Sequence, residues 1–180
     1  MSGRTDGDDA PANEDARLPA RADDTDSGTP KPQSHARAPR VRRHPGGREA
    51  TCSDPPSAAL LFGIEQFNNR EYFECHETLE GIWNLEPGPV RTLYKGILQV
   101  GVGCLHLLRH NYHGATVKLQ SGSDYLEPFA PRCMGVDVGR LIADARRLRA
   151  AIVALGRERL GEVDLSLLPH IECDENPPLP

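Results

Sequence analysis

The stretch FNNREYFECHETLEGIW, Phe67 to Trp83, decides the fold. Tyr72, Cys75, Leu79, Ile82 and Trp83 recur at three- and four-residue spacing, the mark of one apolar helix face. Beside that face, at 100° per residue, fall His76, Glu80, Phe73, Glu77 and Asn84, while Glu71, Glu74 and Thr78 take the opposite side. A helix is therefore expected from about Arg70 to Trp83, ended by Glu86-Pro87-Gly88-Pro89, because proline lacks the amide donor and constrains its predecessor.

Working outward, the next segment is apolar over most of its circumference. Leu93, Ile97, Val100, Cys104, Leu105, Leu107 and Leu108 surround a single polar strip of Arg91, Lys95, Gln99, His106, Arg109 and His110. Such a helix, expected from about Pro89 to His110, is central in its bundle, so its strip cannot all be ordinary surface. Gly96, Gly101 and Gly103 point the same way, since glycine inside a helix costs about 1 kcal/mol relative to alanine unless close packing uses the gap. The short link after Trp83 makes these two helices antiparallel neighbours, and Glu77 and Glu80 then have natural partners in Arg91, Lys95 or His106.

Three more helices complete an all-α class, a single bundle of about five helices. The first starts near Pro55 and Ser57 and breaks at Asn68 and Asn69; a fourth includes Ala115, Val117, Leu119, Tyr125 and Leu126 and stops at Pro128 and Pro131. A fifth runs from Val136 to about Arg157, with Leu141, Ala145, Leu148, Ile152 and Leu155 on one stripe. The expected organisation is a disordered charged tail at 1–54, the bundle at 55–161, and an extended tail at 162–180 packed on the bundle.

The N-terminal tail follows from composition: up to Arg48, Leu18 and Val41 are the only large aliphatic residues beyond Met1, too few to offset backbone ordering entropy. Its acids come first, and the bases from Lys31 to Arg48 follow with no acid among them. From Asp54 onward 17 acids face 12 bases, a poor general surface for nucleic acid. No secretory-type apolar stretch lies near Met1, and the longest apolar run is interrupted by Gln99 and His106, so a cytoplasmic protein without membrane spans is expected. Five widely spaced cysteines with no Cys-x-x-Cys pair argue against a disulfide framework or a zinc knuckle, and Cys75 and Cys104 read as buried thiols.

The polar faces admit three uses. In the first, Arg91 and Lys95 clamp a small anionic ligand, with Gln99, Tyr94, Trp83 and Asn111 as further contacts. In the second, a hydrolase or lyase uses His76, Glu77, Glu80 and His106 for proton transfer. No metal is assigned, although His76, Glu80 and His106 are the residues that could supply ligands to a divalent ion, His76 and Glu80 being four apart. The set lacks the second histidine of His-Glu-x-x-His and the Glu-x-x-His pairs of di-iron bundles. In the third, the same residues form a buried ion-pair network in a structural or protein-interaction module, and a homo-oligomer is compatible with it.

At these residues the chain resembles the DUF309 family of small helical bacterial and archaeal proteins. The likeness runs from Phe67 through Tyr72-Phe73-Glu74-Cys75-His76-Glu77-Thr78-Leu79-Glu80 and Trp83. It continues at Arg91, Tyr94-Lys95-Gly96-Ile97-Leu98-Gln99, His106, Asn111 and Gly114-Ala115, and returns at Gly135-Val136-Asp137-Val138. The resemblance implies an α-helical bundle and supplies no reaction, the family being of unknown function. The charged N-terminal tail lies outside it, and His110 stands where the likeness leads one to expect glycine.

Overall fold

A computed structural model describes residues 49–174. The expected disordered tail therefore lies, up to residue 48, outside the described residues, as do residues 175–180. Five helices carry the architecture: α1 (Ala58–Asn68), α2 (Tyr72–Leu85), α3 (Arg91–Leu108), α4 (Tyr112–Leu126) and α5 (Val138–Leu155). The all-α class stands.

Local chemistry sets the helix ends. Ser57 caps α1, its hydroxyl accepting from the Leu60 amide at 3.1 Å, and Asn111 and Asp137 cap α4 and α5 in the same way. α1 and α3 both finish in a left-handed residue followed by paired return bonds. Arg70 has φ 65° and His110 φ 54°. After α1 the Arg70 and Glu71 amides donate to the carbonyls of Phe67 and Gln66; after α3 the His110 and Asn111 amides donate to those of Leu107 and His106. The backbone at residue 110 thus adopts the conformation for which glycine is the natural choice, which accounts for the glycine expected there.

α3 is the central element, with twelve of its residues buried between α2 on one side and α4 on the other. Its contact with α4 is backbone-close. A Cβ at Gly103 would meet Leu119 Cγ at 2.8 Å, one at Gly96 would meet Leu126 Cγ at 2.6 Å, and one at Gly122 would meet the Val100 amide nitrogen at 2.8 Å. Gly101 faces away from this contact, toward the rings of Phe67 and Tyr72, which themselves meet edge to face at 5.3 Å.

Between α4 and α5 the chain makes a two-stranded antiparallel hairpin, β1 (Arg132–Cys133) and β2 (Val136–Asp137), turned by Met134 and Gly135, both at positive φ. Strands this short leave no readable alternation, and α5 consequently starts at Val138 instead of Val136. Cys173 bridges to the other side of Val136, so the C-terminal segment adds to the hairpin edge. That segment first makes two 3₁₀ turns, Arg157–Glu162 and Leu165–Leu167, and buries Leu160, Val163 and Ile171. The Asn68 side chain pairs with both polar groups of the Ile171 backbone, at 2.8 and 3.0 Å.

Two sequence expectations are corrected at the other end. Residues 50–54, read as the close of the charged tail, pack against the fold: Ala50 and Asp54 are buried, and the Cys52 carbonyl accepts from the Met134 amide at 2.8 Å. A disulfide, argued against from the odd and scattered cysteines, joins Cys52 to Cys133 across 81 positions. The hairpin brings Cys133 beside this strap, a juxtaposition that spacing in the chain cannot express.

The α3–α4 contact is testable by urea denaturation. Gly122→Ala, which drives a methyl onto backbone, should lose about 1–3 kcal/mol or more, whereas Gly101→Ala, whose Cβ meets Phe67 no nearer than 3.4 Å, should be close to neutral. Equal losses at both positions would contradict it.

Candidate functional site

α2 and α3 are joined by Glu86 to Val90, and Trp83 near the end of α2 comes back onto Arg91 at the start of α3. The Arg91 guanidinium lies over the Trp83 ring, 4.7 Å from its centroid. One turn further along α3, the Lys95 ammonium sits 4.3 Å from the centre of the Tyr125 ring, which α4 supplies. Each cation is therefore held by an aromatic face, a favourable contact of roughly 0.5–2 kcal/mol depending on desolvation.

The expected ion pairs are not formed. Among the described residues, neither Glu77 nor Glu80 makes a salt bridge to Arg91, Lys95 or His106. Glu77 is exposed and Glu80 half-buried, so each carboxylate keeps hydration that a buried pair would forfeit.

His76 is buried, 8% exposed. Burial holds its pKa below the usual histidine value, and the nearby Glu80 and Glu77 charges oppose that shift without overcoming it. Gln99 is 6% exposed and its Oε1 has no hydrogen-bond partner, one of two such side-chain atoms among the described residues, the other being Gln66 Oε1. A buried amide oxygen left in this state costs about 1–3 kcal/mol.

His106 has a different task from the one sequence suggested. The Asn111 Nδ2 donates to its Nδ1 at 3.2 Å, while Asn111 Oδ1 accepts from the Gly114 amide at 2.9 Å. These two bonds fix the amide's orientation and leave the imidazole proton on Nε2. A Cβ at Gly114 would meet the ring at 2.6 Å, so the His106, Asn111 and Gly114 set is one interlocked turn between α3 and α4. Desolvation, with the Lys118 and Arg109 charges, keeps His106 below its ordinary pKa.

Tyr94, expected among ligand contacts, points elsewhere: it is buried and its hydroxyl donates to Met134 Sδ at 3.4 Å. The geometry thus gathers Trp83, Arg91 and Lys95 with Tyr125, and assigns Tyr94, Asn111 and His106 to other contacts. Among the described residues no group of three or more His, Cys, Asp or Glu side chains is placed to hold a metal, so His76, Glu80 and His106 do not converge as a ligand set. Tyr125 was missed; its signal is only that a tyrosine on the helix after a glycine-lined one faces back along the polar strip. Cys75 and Cys104 are buried thiols as expected, with burial pushing Cys104 up to about 12 and disfavouring a thiolate.

Fold and side chains together define a small helical bundle with a cationic, aromatic-lined seam along its central helix. In comparison with known proteins, residues 60–117 match the family model described as Domain of unknown function (DUF309), so the resemblance to that family is shown from α1 into α4. The chain is also 36% identical over 90 residues to the Uncharacterized protein YpuF of Bacillus subtilis (strain 168), covering 48% of this chain and 52% of that one. It spans about half the length of that relative. No solved structure matches. No helix of the described residues is long and apolar enough to cross a membrane.

Two measurements bear on these assignments. Asn111→Ala removes a cap and the histidine's partner, and the unfolding free energy from urea titration should fall by about 1–2 kcal/mol; a neutral result would contradict the interlocked turn. Both depressed histidines refuse a proton that the unfolded chain, near 6.5, accepts. Their contribution to stability is complete above about pH 6.5 and is lost as pH falls toward their folded values. Melts at pH 7.5, 6.5 and 5.5 should show that loss, with a shallower slope in His76→Gln; stability rising on acidification would refute it.

Proposed function

We propose that the seam formed by Trp83, Arg91, Lys95 and Tyr125 binds a small phosphorylated or carboxylated ligand. The observation that carries this reading is the pairing of two cations with aromatic faces and, among the described residues, with no carboxylate, although Glu77 and Glu80 stand on the adjoining helix. A guanidinium or ammonium set against an aromatic ring, unlike one paired with a carboxylate, still has N–H donors to offer an anion. Residues four apart on a helix are neighbours, about 5–6 Å between their Cβ atoms, so the two charges can address one ligand. Gln99, two turns from Arg91, offers a buried acceptor on the same strip for a hydroxyl or amino group of that ligand.

The enzyme alternative, a hydrolase or lyase, retains His76 with Glu80 one turn away; Glu77 is exposed and His106 is engaged by Asn111. The ligand-binding reading needs neither. Titration calorimetry of the full chain with citrate and with inorganic phosphate tests it. Arg91→Gln and Lys95→Gln should each weaken binding about tenfold or more, the worth of one charge-assisted hydrogen bond, while stability falls by no more than the lost cation–aromatic contact, about 0.5–2 kcal/mol. Affinity unchanged from the parent in both variants, or no uptake by the parent chain, would end the proposal.

A further inference from the structure

We infer that the Cys52–Cys133 disulfide is a reducible clasp that sets the Trp83–Arg91 stack and thereby the affinity of the seam for anions, an inference that rests on the anion-binding reading above.

The connection is short and physical. The strap from Glu49 to Asp54 is tied at one end to the hairpin by the disulfide and by the Met134 amide on the Cys52 carbonyl. Asp54 closes a tight turn within it, its carboxylate accepting from the Thr51 amide at 2.7 Å and the Thr51 hydroxyl at 3.1 Å. At its other end it meets the link between α2 and α3. Glu86 Oε1 accepts from the Gly88 amide at 2.8 Å and from the Ala50 amide at 3.4 Å. Glu49 lies against Gly88 so closely that a Cβ there would be 2.8 Å from Glu49 Cβ. The Gly88 carbonyl in turn accepts from the Arg91 amide at 3.1 Å, in the residue whose side chain lies on Trp83.

The strap carries little buried apolar surface of its own. Ala50 is its one buried apolar residue, and Glu49, Thr51, Cys52 and Ser53 are exposed. Segments with so few buried contacts open at low cost. Cys52, being exposed, presents the bond to an attacking thiolate.

The chemistry is thiol–disulfide exchange with a dithiol reductant. One reductant thiolate attacks a sulfur of the pair and forms a mixed disulfide; its second thiolate closes on the first. The reductant leaves as a cyclic disulfide, and its two hydrogens end on Cys52 and Cys133. In a reducing cytoplasm, the setting expected from the sequence, the bridged state would mark an oxidising episode. Reduction frees the strap, removes Ala50 and Glu49 from Glu86 and Gly88, and loosens the turn that aims Arg91. The bridged form is the tight binder.

Trp83 is the sole tryptophan of the chain, so its emission reports the stack directly and without ligand. The full chain is compared before and after dithiothreitol, with mass spectrometry after thiol alkylation showing the rise from three thiols to five. Reduction should shift Trp83 emission, speed hydrogen exchange at the Gly88 and Arg91 amides, and weaken citrate binding at least about fivefold, the lower range of allosteric couplings. Glu86→Ala, which cuts the strap's other anchor with the disulfide intact, should reproduce the emission shift and the weaker binding even if the reduced chain loses helix content. Five thiols with unchanged emission and exchange would overturn the clasp. So would citrate affinity indifferent to reduction. If the bridged protein binds neither citrate nor phosphate while its emission still responds, the seam reading fails and the regulatory claim falls with it.

Discussion

The backbone contact between α3 and α4 is the constraint from which the rest follows. Gly96, Gly103 and Gly122 let the two helices approach until side-chain and main-chain atoms of one fill the missing Cβ positions of the other. Dispersion contacts at this range are individually small and numerous, and they tolerate no added methylene. With α4 so near on one flank and α2 on the other, the residues of α3 between them have a shallow strip left to them, and Arg91 and Lys95 fall on it. Tyr125 reaches Lys95 because α4 is held at that distance.

The treatment of charge on this strip follows from solvation. Bringing Glu80 onto Lys95 would take two ions partly out of water, a step whose penalty commonly cancels the attraction. An aromatic face asks for less, because its quadrupole attracts the cation while leaving the N–H donors hydrated. Among the described residues, the positive charge at the seam is therefore not paired with a carboxylate. Ion pairs among the described residues lie elsewhere, in exposed groups such as Arg140 with Glu172 and Arg146 with Glu127, where each contributes little.

What could be read from the chain tracks the range of the interaction. The helices were legible because periodicity, the Glu86 to Pro89 break and the Ser57 cap act within a few residues. Burial of His76 and Gln99 was legible from the faces of α2 and α3. Partners were not: helical phase places Glu80 and Lys95 on facing surfaces, but not the side chain that each prefers. His106 and Asn111 are five apart and looked like separate pocket residues, yet they close on each other through a left-handed residue at His110. The disulfide was the least legible feature, since it depends on a two-residue hairpin turn and on a strap with almost no apolar content.

The side chain of Asn68 treats the Ile171 backbone as a neighbouring strand would, taking one bond and giving one across 103 positions. The carboxamide stands at the end of the first helix, and its counterpart is among the last described residues. On a ribosome, α1 must wait until every later helix of the described residues has been made before this contact can form. The bundle is sealed from its own far end, and a nascent chain halted after α5 would expose the flank that the returning segment covers.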